Sequence, residues 1–178
     1  ELPLVASVAT FHQRPVLLLG VPDPLPMAYV VHRVRTEPSA DSAIKTLTDP
    51  AFDAPREVIR VQADAPSESL AREGGPPSTA ARIEAEEDGR WRVRGRLSEP
   101  GTLVVLMAFS KGWRATVDGK PAPIRPANVL FQSVDLGIGE HVVEFEYETP
   151  GLRLGLGLSS IAWASLALFS FDLFRKRT

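Results

Sequence analysis

Residues 81–97 read ARIEAEEDGRWRVRGRL, and the alternation in this stretch decides the fold. Ile83, Ala85, Trp91, Val93 and Leu97 occupy odd positions, while Glu84, Glu86, Arg90, Arg92 and Arg94 occupy even ones. A period of two is the pattern of a half-buried strand, and an Asp-Gly between two such runs marks a hairpin. Keeping the apolar set on one face across the turn requires an odd number of loop residues. The spacing therefore predicts a three-residue loop, Glu87-Asp88-Gly89 with Gly89 left-handed, which sets Ala85 opposite Trp91 and Glu84 opposite Arg92. The outward face then becomes a carboxylate–guanidinium ladder.

Similar short runs recur on both sides. Strands are expected at Val16–Leu19, Ala28–Arg35, Glu57–Gln62, Trp91–Leu97, Thr102–Phe109, Arg114–Val117, Val129–Val134 and His141–Tyr147, beside Ala81–Glu86. Many short strands separated by turn residues predict a mainly β chain, an antiparallel, jelly-roll-like β-sandwich. In Trp113–Ile124 a two-residue Asp118-Gly119 turn keeps the apolar set together, pairing Val117 with Lys120, Ala115 with Ala122 and Trp113 with Ile124. Pro121 and Pro123 remove donors from the returning strand, which places it at an edge. Leu103–Phe109 is apolar at almost every position and reads as a central strand covered on both sides. One short helix is expected at Ala40–Leu47, capped by Ser39, with Ala43, Ile44 and Leu47 on one face and Asp49-Pro50 ending it. Residues 65–79 have little to bury and read as a mobile surface loop.

The tail differs in kind. From Leu154 to Phe171 there are 18 consecutive residues without a charge, about 27 Å of helix at 1.5 Å per residue. Its large apolar side chains point in every direction rather than along one stripe. The expected organisation is thus a sandwich domain over residues 1–150 and a transmembrane helix over 151–178. The basic end Arg175-Lys176-Arg177 places the C-terminus in the cytoplasm and the sandwich outside. Glu1 opens the chain with no export signal ahead of it, so the sequence reads as part of a longer membrane protein.

Composition narrows the function classes. A formal charge of −2 and the absence of a basic cluster before the tail exclude an electrostatic case for nucleic acid. The chain has no cysteine, so thiolate chemistry and zinc–thiolate sites are excluded. The 3 histidines are scattered, and no phosphate loop, metalloprotease motif or nucleophile elbow is present. No metal, cofactor or catalytic residue is expected.

Residues 109–120, Phe-Ser-Lys-Gly-Trp-Arg-Ala-Thr-Val-Asp-Gly-Lys, resemble the motif Tyr-Tyr-Pro-Gly-Trp-Lys-Ala-x-Val-Asp-Gly-Lys of YfhO-type bacterial membrane proteins. Ala127, Asn128, Phe131, Val134, Leu136, Gly139, His141, Val143, Phe145 and Tyr147 fall where that family's downstream pattern would put them, and Pro150–Gly155 is similar to the start of its last helix. The segments at 25–31 and 47–53 also look like the family. Lys111 replaces the family's proline, and Phe109 and Ser110 replace its two tyrosines. The resemblance implies a glycosyltransferase-C-like membrane body that moves sugars from polyprenyl-phosphate donors onto cell-envelope polymers. This chain would be that protein's C-terminal extracytoplasmic domain plus its last transmembrane helix. The catalytic acids of such transferases are expected in the membrane body, so no catalytic role passes to any residue here.

Two functions follow from this reading. One is a non-catalytic domain that helps position a lipid-linked sugar or envelope glycan, with Arg114, Asn128 and Tyr147 as candidate contacts. The other is a membrane-tethered structural or protein-interaction sandwich that binds no sugar. Trp113 falls in register with Ala115 and Val117 and is read as core, Asp118 and Gly119 as turn residues, and His141 as a structural histidine on the face of Val143, Phe145 and Tyr147. Asn128 has a second reading, as the cap of a Pro-Ala-Asn turn.

Overall fold

The computed structural model describes residues 3–8, 16–62, 79–87 and 89–175. Along them run β1 (Leu4–Val8), β2 (Val16–Leu19), β3 (Ala28–Val31), β4 (Arg33–Glu37), α1 (Ala40–Leu47), β5 (Glu57–Val61), β6 (Thr79–Ala80), β7 (Arg82–Glu87) and β8 (Arg90–Leu97). They are followed by β9 (Gly101–Ala108), β10 (Trp113–Val117), β11 (Lys120–Ala122), β12 (Arg125–Ala127), β13 (Phe131–Leu136), β14 (Gly139–Tyr147) and α2 (Leu152–Arg175).

Two five-stranded antiparallel sheets, in the orders β11-β10-β14-β8-β7 and β12-β13-β9-β3-β6, face each other. Val93, Leu97, Val143 and Phe145 of the first meet Val30, Leu103, Val105 and Val134 of the second in one buried cluster. Burying each such side chain contributes about 1.5–3 kcal/mol, so this seam is the main source of stability. The second sheet is covered on its other face too. There Tyr29, Val31 and Val104 pack with Val34, Val58 and Ala127. β9 lies at the centre of its sheet with residues 101–105 buried throughout, which is why its sequence is apolar on both parities.

The outer cover is a unit absent from the sequence expectation. Ala28–Arg35, read above as one strand, divides at His32, whose Nδ1 lies 3.0 Å from the Pro100 carbonyl oxygen. β3 stays in the antiparallel sheet, whereas β4 pairs in parallel with β5 through the crossover helix α1. Ser39 caps α1 as expected, its Oγ accepting from Ser42 N at 3.2 Å. Ala43 is buried, but Ile44 is exposed. Glu37 holds the unit together: its carboxylate accepts from Ser42 Oγ, from Thr46 Oγ1 at 2.9 Å and from Arg35 Nε at 3.0 Å. The Ser42 and Thr46 hydroxyls, with Arg35, keep its pKa below the usual carboxylate value.

This layer is fastened at two points. Arg60 on β5 is fully buried, and its guanidinium donates to Asp135 at 2.6 and 3.1 Å and to Ser133 Oγ at 3.1 Å. Thr102 Oγ1 donates to the same carboxylate at 2.8 Å, and Arg125 Nε lies 3.4 Å from it. Burial acts to raise the Asp135 pKa, but Arg60, Thr102 and Arg125 outweigh it and the net shift is downward. At the second point Asn128 Oδ1 accepts from Ile59 N at 2.8 Å, and Asn128 N donates to Ile59 O at 2.8 Å.

Several expectations are corrected. In the 81–97 hairpin Glu87 pairs with Arg90 and so belongs to the strand rather than to a three-residue loop, although Gly89 is left-handed as expected (φ 73°). A β-bulge between Ile83 and Ala85 supplies the odd residue instead, setting Ala85 opposite Arg92 and Ile83 opposite Val93. The charge ladder exists, but β14 supplies most of its carboxylates: Arg90 pairs with Glu146, Arg92 with Glu144, and Arg94 with both Glu84 and Glu140. The strand expected at Val129–Val134 begins at Phe131, because Asn128 and Val129 turn left-handed (φ 49° and 67°). The Val117–Lys120 and Ala115–Ala122 pairings are as expected, and β11 is an edge. The expected loop lies almost wholly outside the described residues.

α2 is helical where the membrane span was expected, but the span itself is not supported. Among the described residues no helix is long and apolar enough to cross a membrane. Gly155, Gly157, Ser159, Ser160 and Ser165 dilute its hydropathy, although the Ser160 and Ser165 hydroxyls donate to their own helix at Leu156 O (2.8 Å) and Ile161 O (2.9 Å). The all-round apolarity is present: Leu154, Leu156, Leu158, Ile161, Trp163 and Leu166 are all exposed.

Candidate binding cleft at the base of the second helix

The end of β14 and the start of β10 lie side by side, with Trp113 opposite Tyr147 and Arg114 opposite Glu146. Just before β10, Gly112 O accepts from Glu148 N at 2.9 Å. A β-carbon on Gly112 would fall 2.5 Å from Tyr147 Cε2 and 2.7 Å from Glu148 O, so this approach requires glycine. Gly151, left-handed at φ 79°, then turns the chain into α2, where Gly155 N donates to Gly151 O at 2.8 Å.

These turns enclose a cleft of about 640 Å³ between the sandwich and the helix, lined by Lys111, Arg114, Tyr147, Glu148 and Arg153 among others. Glu148 accepts from Arg114 Nη2 at 2.9 Å on one oxygen and lies 3.4 Å from Arg153 Nη2 on the other. Lys111 has no ion-pair partner among the described residues. Three cations against one carboxylate leave the cleft positive on a chain whose net charge is −2. Such a lining suits an anionic or hydroxyl-rich ligand, with the Tyr147 ring as a flat wall.

Of the sequence-derived candidates, Arg114 and Tyr147 meet in this cleft and Asn128 does not. Asn128 is buried and engaged with the Ile59 backbone. It also bonds the side chain of Tyr29, whose pKa burial pushes up to about 12 while that hydrogen bond acts to lower it. Lys111, Glu148 and Arg153 went unnoticed as cleft residues. The one signal was Lys111, standing where the family motif has proline. Trp113 is partly buried against the core, as expected.

Asp118 does more than turn the chain. With Asp118 and Gly119 both left-handed (φ 51° and 78°), its carboxylate accepts from Val142 N at 2.9 Å and meets His141 Nδ1 at 2.7 Å. The Val142 amide and His141 together hold the Asp118 pKa below the usual value. Among the described residues no group of three His, Asp or Glu converges as a metal site.

Fold and cleft together define a β-sandwich with a polar cleft set against an apolar helix. Residues 84–159 match the family described as bacterial membrane protein YfhO. That match runs from β7 into α2, spans less than half of the chain, and includes the 109–120 stretch that carries the resemblance. No curated protein and no solved structure matches the chain.

Proposed function

We propose that this chain is a non-catalytic extracytoplasmic domain of a membrane glycosyltransferase-like protein, and that it helps hold a polyprenyl-phosphate-linked sugar during transfer to a cell-envelope polymer. The observation that carries the reading is the meeting of Arg114, Tyr147, Lys111 and Arg153 in one cleft at the base of α2. A guanidinium and an ammonium suit a lipid phosphate, and an aromatic wall suits a sugar ring. In this reading α2 seats the domain on the bilayer, its exposed apolar side chains covered by lipid and by helices of the membrane body.

The test is titration of the full chain in lipid nanodiscs with a polyprenyl-phosphate sugar. Wild type should bind saturably. Arg114→Gln should bind about tenfold more weakly, the loss of one charge-assisted hydrogen bond, with melting unchanged. Absence of binding by folded wild type would favour the second reading, a tethered packing domain, which draws support from Asn128 being committed to the fold rather than to a ligand.

A further inference from the structure

The register places a second group of side chains at the end of the sandwich from which α2 leaves. Phe131 at the start of β13 pairs with Ala108 at the end of β9, and Phe109 N donates to Leu130 O at 2.7 Å. The 128–130 turn and the 109–112 connection are therefore neighbours. Met27 O accepts from Leu106 N at 2.8 Å, bringing the start of β3 to the same end. Met27, Phe109, Val129 and Leu130 are all exposed there.

Val129 is the informative member. A β-branched residue at φ 67° is strained, and nothing in the turn itself asks for valine where glycine or asparagine would fit. It is followed by Leu130, which is 57% exposed. Apolar tips bordered by Lys111 and Arg114, on the end that carries an all-round apolar helix, form one surface. Water is a poor solvent for the tips, and the cations match a layer of lipid phosphates.

We infer that this end of the sandwich docks on an anionic phospholipid surface. Val129, Leu130 and Phe109 enter the headgroup–acyl boundary, and Lys111 and Arg114 contact lipid phosphates. The inference rests on the membrane reading of α2 and adds that the sandwich lies down on the bilayer rather than standing off it on a tether.

Because the chain has no cysteine, single-cysteine variants can carry an environment-sensitive fluorophore. Leu130→Cys reports the docking end. Ile138→Cys, 66% exposed in the turn between β13 and β14 at the opposite end, is the control. The labelled full chain is reconstituted in phosphatidylcholine vesicles with and without phosphatidylglycerol, with nitroxide quenchers on the acyl chains. The label at 130 should be quenched several-fold more than that at 138, and more strongly with phosphatidylglycerol. Lys111→Gln should weaken the phosphatidylglycerol-dependent docking about fivefold, the contribution of one cation near an anionic surface. Equal quenching at 130 and 138 while the chain floats with vesicles would overturn the docking and leave α2 as a bare tether. Failure to float at all would overturn the membrane reading and the docking with it.

Discussion

Tyr147 stands edge-on to Trp113, with the ring centroids 5.2 Å apart and the planes inclined at 61°. The pair closes the core and also forms the wall of the cleft, because Trp113 packs inward while Tyr147 faces the space below α2. An edge-to-face pair of this kind contributes about 0.5–1.5 kcal/mol beyond its burial. Stability and the candidate site are thus coupled through one contact.

The coupling can be tested at Gly112, which lies directly against both Tyr147 and Glu148. A methyl group there must push the tyrosine ring or the backbone aside. Gly112→Ala is expected to lower stability by about 1–3 kcal/mol, the usual cost of overpacking, and to weaken the near-ultraviolet circular dichroism of the aromatic pair. Tyr147→Phe keeps the ring and should leave the melting temperature nearly unchanged. A Gly112→Ala protein with wild-type stability and spectrum would show that the close approach is not obligatory.

The Arg60–Asp135 pair carries the second prediction. Removing one partner of a buried ion pair strands the other, so Arg60→Met should cost about 3 kcal/mol. An Arg60→Met/Asp135→Leu double variant should recover much of that loss, measured by denaturant unfolding in a double-mutant cycle. The pH dependence has a definite sign. The Asp135 pKa is lowered in the fold, so its contribution is complete above the unfolded value near 3.9 and disappears as pH falls through the lower folded value. Asp135→Asn should flatten the acid limb of the stability profile. An unchanged limb would assign the acid sensitivity to other carboxylates.

How far the sequence discloses the fold depends on where each signal sits. β8, β9, α1 and the β10–β11 register are written locally, in parity, apolar run, cap and turn. The bulge at Glu84 is not, since one inserted residue exchanges the faces without leaving a break in the alternation. The division at His32 depends on a contact with Pro100, far away in sequence. Arg60 reads as a surface residue until Asp135 is brought to it from another strand. The cleft follows the same rule. Arg114 and Tyr147 stand in the motif-bearing strands and were legible, whereas Lys111, Glu148 and Arg153 become neighbours only when β10 and β14 pair and α2 begins. Asn128 sits in a motif as well, and a ligand contact and a structural tether look alike in sequence.

At the β10–β11 turn, Asp118 serves both geometry and anchorage, and substitutions can separate the two. Asparagine tolerates a left-handed backbone and keeps an acceptor for Val142 N, but gives up the charge facing His141. Alanine gives up all three. The expected order of melting temperature is wild type, then Asp118→Asn, then Asp118→Ala. Because the Asp118 pKa is lowered in the fold, the advantage of wild type over Asp118→Asn should shrink as pH falls through that lowered value. Equal melting of the asparagine and alanine variants would mean that neither the left-handed backbone nor the Val142 contact matters to stability.

Val129 gives the last prediction, and its sign is the reverse of the usual one. A left-handed conformation costs a side-chain-bearing residue about 1–2 kcal/mol, and Val129 holds it at φ 67°. Glycine removes that strain but loses about 0.4–1 kcal/mol through the added freedom of the unfolded chain. The balance favours Val129→Gly by a few tenths to about 1 kcal/mol, so the variant should melt at a higher temperature than wild type. If Val129 serves docking, the same variant should also bury a label at position 130 less deeply in anionic vesicles. A gain in stability accompanied by a loss of docking would show strain retained for contact with the bilayer. A loss of stability would show that the valine side chain makes packing contacts which outweigh its backbone cost.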